Sequence, residues 1–232
     1  MFEMEKAQRV SLTMQVEAKL KGALIVGVLK PGARLVTKEI AEKLGTSVTP
    51  VREALLRLVS AGALDATPAQ AFLVPKIPQL RYQEITLIRK NLEGLAVSQA
   101  CERVTADHIA LLKNLNVKFL AAKRENKVEE ALEANREFRF TLYEMAGMPT
   151  LMALIEQLWV QIGPCFNYLY PQSSPVTQGK HNYEQLLLAL ETGDSKRCVK
   201  LIHKAIDDGA AILVEHYFSQ ENPNAIQDSS RP

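Results

Sequence analysis

The chain has 232 residues, 47% hydrophobic and 23% charged, with 28 Lys and Arg against 26 Asp and Glu for a formal net charge of +2. That balance excludes a disordered, collagen-like or disulfide-stapled chain, and no apolar run approaches the roughly 18–20 residues of a membrane span. No basic segment followed by an apolar core opens the chain, and Cys101, Cys165 and Cys198 are far apart and not in CxxC spacing. A cytoplasmic protein with small buried cysteines is therefore expected.

The first predicted helix is capped by Ser11 or Thr13 and repeats Val16, Leu20, Ala23 and Leu24 on one face. Lys30-Pro-Gly-Ala-Arg34 reads as a turn. Thr37 is expected to cap a short second helix, Lys38–Leu44, which Gly45 ends as a C′ glycine. A third helix follows almost at once, with Pro50 in its first turn, and stops at Gly62. Its inner face is Val51, Leu55, Leu58 and Val59, leaving Thr49, Arg52, Glu53 and Arg57 outward. Ala63–Val74 is expected to form a two-stranded wing. Two short helices joined by a glycine-containing turn make a helix-turn-helix, which by spacing alone is either a plain corner of a helical bundle or a DNA-binding unit whose second helix enters a major groove.

The stretch from Ala66 to Pro78 carries three prolines, so no helix runs through it. A boundary near residue 78 divides the charge unevenly. Residues 1–78 hold 11 Lys and Arg against 7 Asp and Glu, a net of +4, and the remainder carries −2. Beyond it the pattern is helical throughout. Ile85, Ile88, Leu92, Leu95 and Ala96 stripe the first helix, and Ile109, Leu112, Leu115 and Phe119 the next. Leu132, Phe138 and Leu142 follow, then Leu151, Leu154, Ile155 and Leu158. After a Pro/Ser loop come Leu186, Leu187 and Leu190, then Ile202, Ile206, Leu213 and Tyr217. The expected fold is mainly α: a winged helix-turn-helix over 1–78 and an antiparallel bundle of six to seven helices over 79–219. The polar tail 220–232 is expected to be disordered.

Lys30-Pro-Gly-Ala-Arg-Leu35, Ile40-Ala-Glu-Lys-Leu-Gly45 and Thr49-Pro-Val-Arg-Glu-Ala-Leu55 resemble the winged helix-turn-helix of GntR-type transcription regulators. The rest is similar to the FadR/VanR branch of that family, with its FCD-type C-terminal domain. The resemblance implies DNA contacts from Arg34 and Lys38, from Ser47, Val48, Thr49 and Arg52 on the recognition helix, and from Gln70 at the wing tip. Arg34 and Lys38 suit phosphate oxygens, and Arg52 suits a guanine edge. Val48 stands where many members have arginine, and an apolar side chain there favours a thymine methyl. The wing lacks the usual glycine and basic residue, having Pro68-Ala-Gln70 instead.

In such regulators the bundle binds an effector and dimerises, and many carry a divalent metal. Alignment puts Asn135, Arg139, Tyr183 and Ala205 at the four ligand positions, so no metal and no other cofactor is expected. His181 and His203 lie two residues from these positions, about 200° around a helix and so on the wrong face; the alternative is that these two build a displaced metal site. Asn135 and Arg139 share a helix face, and Arg89 with Glu93 matches the family's Arg-x-x-x-Glu. The expected site is a pocket for a small anionic effector formed by Arg89, Asn135, Arg139 and Tyr183, with Trp159, Phe166 and Tyr168 either walling it or packing as core. The alternative is that a structural carboxylate neutralises Arg139. No catalytic motif appears, so no enzyme is expected. The leading reading is a homodimeric repressor on a near-palindromic double-stranded operator, with no membrane partner. A DNA-independent scaffold, or a small-molecule binder with a vestigial DNA-binding domain, is the alternative.

Overall fold

The computed structural model describes residues 11–68, 71–169 and 183–219. Gln70, His181 and the tail 220–232 lie outside the described residues. The N-terminal half runs α1 (Leu12–Ile25), β1 (Arg34–Val36), α2 (Thr37–Leu44), α3 (Val48–Ser60), β2 (Asp65–Ala66) and β3 (Ala71–Leu73). The bundle half runs α4 (Gln79–Cys101), α5 (Ala106–Arg124), α6 (Val128–Glu144), α7 (Pro149–Ile162), α8 (Tyr183–Glu191) and α9 (Ser195–Leu213). A 3-10 turn, Gly163–Leu169, extends α7, and a π-helical turn, Val214–Phe218, extends α9.

Local chemistry accounts for the helix ends. Ser11 caps α1, its hydroxyl accepting from the Met14 N–H at 3.2 Å. Thr13 is instead buried inside α1 and donates to Glu53 of α3 at 2.8 Å. Gly45 ends α2 in the left-handed region, φ 62°, where a side chain would be strained. Thr37 does not cap α2: Val36 holds the cap position, and Thr37 is the buried first helical residue. Strand β1 explains the shift, because it delivers the chain into α2 in extended conformation. It also makes the wing three-stranded, in the order β1-β3-β2, antiparallel throughout. Leu73 pairs with Arg34 on one side and Asp65 on the other.

Helix α4 is the spine of the bundle and packs against α6, α7 and α9. Thr105 opens α5 with a reciprocal pair of bonds to His108, and Asp194 opens α9 by accepting from the Arg197 N–H. The predicted stripe of α4 divides. Ile85 and Ala96 are buried, whereas Ile88 and Leu95 are 41% and 45% exposed and join Leu80 and Leu87 on an outer apolar face. Apolar residues on two sides of one helix leave its inward direction undefined by periodicity. Leu154 of α7 is also exposed. All three cysteines are buried and free, and the sulfurs of Cys101 and Cys198 lie 3.9 Å apart between α4 and α9.

Buried side chains from both halves form one continuous core, from Val16, Leu24 and Leu55 through to Phe218. On α3, Val51, Ala54, Leu55 and Leu58 are fully enclosed. Leu55→Ala is expected to destabilise the protein by about 2–5 kcal/mol, read as a lower urea midpoint.

Candidate nucleic-acid interface and buried charge centre

The start of α3 and its neighbours form an exposed polar face. Arg34 on β1, Lys38 on α2, and Ser47, Val48, Thr49 and Arg52 around the first turns of α3 are all solvent-exposed. Ser47 occupies the cap position of α3, and its side chain makes no capping bond there. The unsatisfied N–H groups of this helix end add partial positive charge. Arg34, Lys38 and Arg52 make no ion pair among the described residues. Arg57, one turn and a residue further on, pairs with Glu17 of α1 at 3.2 Å, and Glu53 accepts from Thr13. The outer face of α3 is therefore divided: its first turns keep their charges unpaired, and Glu53 and Arg57 tie it to α1.

A second polar cluster lies inside the bundle. Glu93 has no solvent exposure, and its two oxygens accept four bonds. Oε1 takes Arg89 Nε at 2.6 Å and Trp159 Nε1 at 2.8 Å; Oε2 takes the Tyr143 hydroxyl at 2.5 Å and Arg139 Nη1 at 3.3 Å. Arg139 also donates through Nη1 to Tyr143 at 3.0 Å and through Nε to the Tyr183 hydroxyl at 2.9 Å. Tyr183 in turn donates to Asn135 Oδ1 at 2.5 Å. The Arg89 guanidinium sits 4.7 Å from the Trp159 ring and 5.6 Å from that of Phe166.

All four expected pocket residues thus meet: Arg139, Tyr183 and Asn135 directly, and Arg89 through Glu93. Tyr143 and Trp159 complete the cluster as ligands of Glu93. Tyr143 follows Arg139 by four residues, so its place on the same helix face was readable from spacing. Trp159 was expected as a pocket wall, and its indole N–H instead donates to Glu93. Phe166 lies against Arg89, whereas Tyr168 turns to Tyr217, with ring centroids 4.7 Å apart.

Two guanidinium groups share one carboxylate, which leaves one positive charge in excess in a buried setting. Burial opposes the charge on Arg139, but Tyr143, Tyr183 and Glu93 outweigh it and hold its pKa well above the usual value. Burial pushes the Tyr143 phenol well up and the Tyr183 phenol up, with Arg139 opposing in both cases. Asn135, Arg139, Tyr183 and Ala205 offer an amide, a cation, a phenol and a methyl, which is not a ligand set for a divalent ion. His203 packs over Gly94, with Nε2 2.9 Å from the Lys90 carbonyl oxygen.

Glu93→Gln is expected to cost about 3–5 kcal/mol by stranding two buried cations. Arg139→Met, which leaves Glu93 paired with Arg89, is expected to cost less; urea unfolding of the two variants checks the order. Because both tyrosines hold their protons more tightly when folded, the unfolded chain loses these protons first as pH rises. Their stabilisation is complete below about pH 10, the free-tyrosine range, and is lost above it. Tyr183→Phe should flatten part of that alkaline decline in urea midpoint.

A model of bacterial regulatory proteins of the gntR family matches residues 12–74, and an FCD domain model matches residues 84–208. The chain is 45% identical over 214 residues to the HTH-type transcriptional regulator McbR of Escherichia coli K12, covering 91% of this chain and 97% of that protein. It is 29% identical to the Nta operon transcriptional regulator of Aminobacter aminovorans, over 75% of this chain and 82% of the relative. The solved structure of E. coli McbR/YncC superposes with a TM-score of 0.85 at 45% identity, covering 89% of this chain and 99% of that one. A GntR regulator structure from Rhodococcus sp. RHA1, at 19% identity and a TM-score of 0.71 over 88% and 98% of the two chains, shares the fold. The chain belongs to the GntR family, with a winged helix-turn-helix of that family followed by an FCD domain.

Proposed function

We propose that this protein is a transcription regulator that binds a near-palindromic operator as a homodimer, repressing from it and releasing it in response to a small anion. It reads DNA through residues 1–78 and dimerises through residues 79–219. The observation that carries the reading is the unpaired, exposed set of Arg34, Lys38 and Arg52 beside Ser47, Val48 and Thr49 at the start of α3. Lys38 and Arg34 fix register on phosphates, and Arg52 reads a base edge. Gln70 extends the contact from the wing. No reaction is assigned to the chain. Among the described residues no helix is long and apolar enough to cross a membrane, in keeping with a cytoplasmic site of action.

The outer face of α4 supports dimerisation. Leu80, Leu87 and Leu95 recur at seven- and eight-residue intervals and, with Ile88, leave one apolar side of a 23-residue helix open to solvent. In the buried centre, Arg89 spends only Nε on Glu93, so both of its terminal nitrogens stay free of described protein acceptors. Those donors, with Arg139, Asn135 and Tyr183, suit a small carboxylate that would balance the excess charge. The ion pairs of Glu93 with both arginines favour a second reading, in which Glu93 already fills the place of an effector carboxylate. Calorimetric titration with small acids, paired with operator-release assays, separates the two. Heat together with release supports the first, and neither with any acid supports the second.

Gel shifts against genomic fragments at several salt concentrations test the DNA reading, with steep weakening by salt as the expected result. Arg52→Ala should cost on the order of 1–3 kcal/mol of discrimination between operator and nonspecific duplex. Lys38→Ala should weaken all sequences alike and reduce the salt slope by about one. Leu87→Glu should yield monomers in analytical ultracentrifugation and weaken operator binding.

A further inference from the structure

The reader and the bundle meet along one short segment whose residues alternate between two duties. Trp159 and Phe166 face inward to Glu93 and Arg89. Gly163 and Asn167, between and beside them, face the end of α1. A Cβ on Gly163 would lie 2.6 Å from Ile25 Cα, so backbone meets backbone there with no room for a side chain. Gly27, at φ 73°, is the counterpart on the reader: a Cβ there would lie 2.7 Å from Asn167 Nδ2. Asn167 donates that amide to the Gly27 carbonyl.

Further contacts surround this point. Lys21 of α1 pairs with Glu156 of α7 at 3.3 Å. Gln161 donates to the Ala61 carbonyl at 3.2 Å and accepts from Arg81 at 3.2 Å. The connecting segment is held as well: Val74 and Ile77 are buried, and the Val74 N–H donates to the Ala33 carbonyl at 2.9 Å. Two prolines, Pro75 and Pro78, stiffen the rest.

We propose that this joint, with Gly27, Gly163 and Asn167 as positioning residues, makes the protein selective for the spacing between operator half-sites. The inference rests on the homodimeric DNA-binding reading. In a dimer, the bundle and the joint together set the separation and relative angle of the two α3 helices. Half-sites one turn apart lie about 34–36 Å from centre to centre, and one added base pair turns the second half-site by about 34°. A loose tether absorbs that change at little cost. A joint closed by backbone contact transfers the misfit to the DNA contacts, so affinity falls.

The test uses the full chain and duplexes that it enriches from a random library, remade with one base pair added or removed between the half-sites. The wild type should lose about tenfold or more in affinity for each change, the scale of one lost base-pair contact. Asn167→Ala, alone and with Gln161→Ala, should reduce that loss to about threefold or less, while affinity for a single half-site stays as in the wild type. A variant that merely unfolds would lose half-site affinity too. A second arm needs no DNA: spin labels at Lys43→Cys and Glu133→Cys, diluted with unlabelled protein, should give a narrow distance distribution that Asn167→Ala broadens. Unchanged spacing discrimination in both variants, or a broad distribution in the wild type, overturns the proposal. Failure to enrich any two-half-site duplex overturns the reading beneath it, and the label distances still decide whether the joint is rigid.

Discussion

The Glu93 carboxylate holds four donors from three helices: Arg89 on its own α4, Arg139 and Tyr143 on α6, and Trp159 on α7. Through Arg139 and Tyr183 the same cluster reaches α8. Removing a carboxylate and two guanidinium groups from water is costly, and only near-complete hydrogen bonding at short distances offsets it. The packing of α4, α6, α7 and α8 around one point is therefore a condition for this charge to be buried at all. Hydrophobic contact alone would tolerate small shifts of these helices; the shared carboxylate does not.

The same logic of divided faces appears twice more. Helix α3 keeps its first turns unpaired and gives Glu53 and Arg57 to α1. The stretch from Trp159 to Asn167 alternates between the charge centre and the reader. In each case helical spacing separates two duties that lie close together in the chain, so neighbouring residues act in different surroundings.

Much of this was legible in the sequence, and the exceptions have physical reasons. The helix-turn-helix could be read because caps, glycines and Pro50 punctuate it locally. The third wing strand could not, because Arg34–Val36 becomes a strand only by pairing with Ala71–Leu73, far along the chain. Periodicity found α4 but not its inward side, since Ile88 and Leu95 are as apolar as Ile85. The meeting of Arg89, Asn135, Arg139 and Tyr183 was expected from family resemblance. Glu93, which joins the two arginines, was matched with Arg89 to the family's Arg-x-x-x-Glu, but its bonds to Arg139, Tyr143 and Trp159 depend on how α6 and α7 pack. Gly27, Gly163 and Asn167 carry no pattern at all, because what they do is visible only where two backbones touch.

The paired thiols between α4 and α9 have a practical side. Burial, with Cys101 beside it, raises the Cys198 thiol to about 12, so near neutrality it stays protonated. Maleimides and peroxides react with thiolates, and Cys101 and Cys165 are enclosed as well. A cysteine introduced on the surface would therefore be modified long before the native three. The wild-type chain can thus serve directly as the background for site-directed labelling, without first being stripped of its own sulfur.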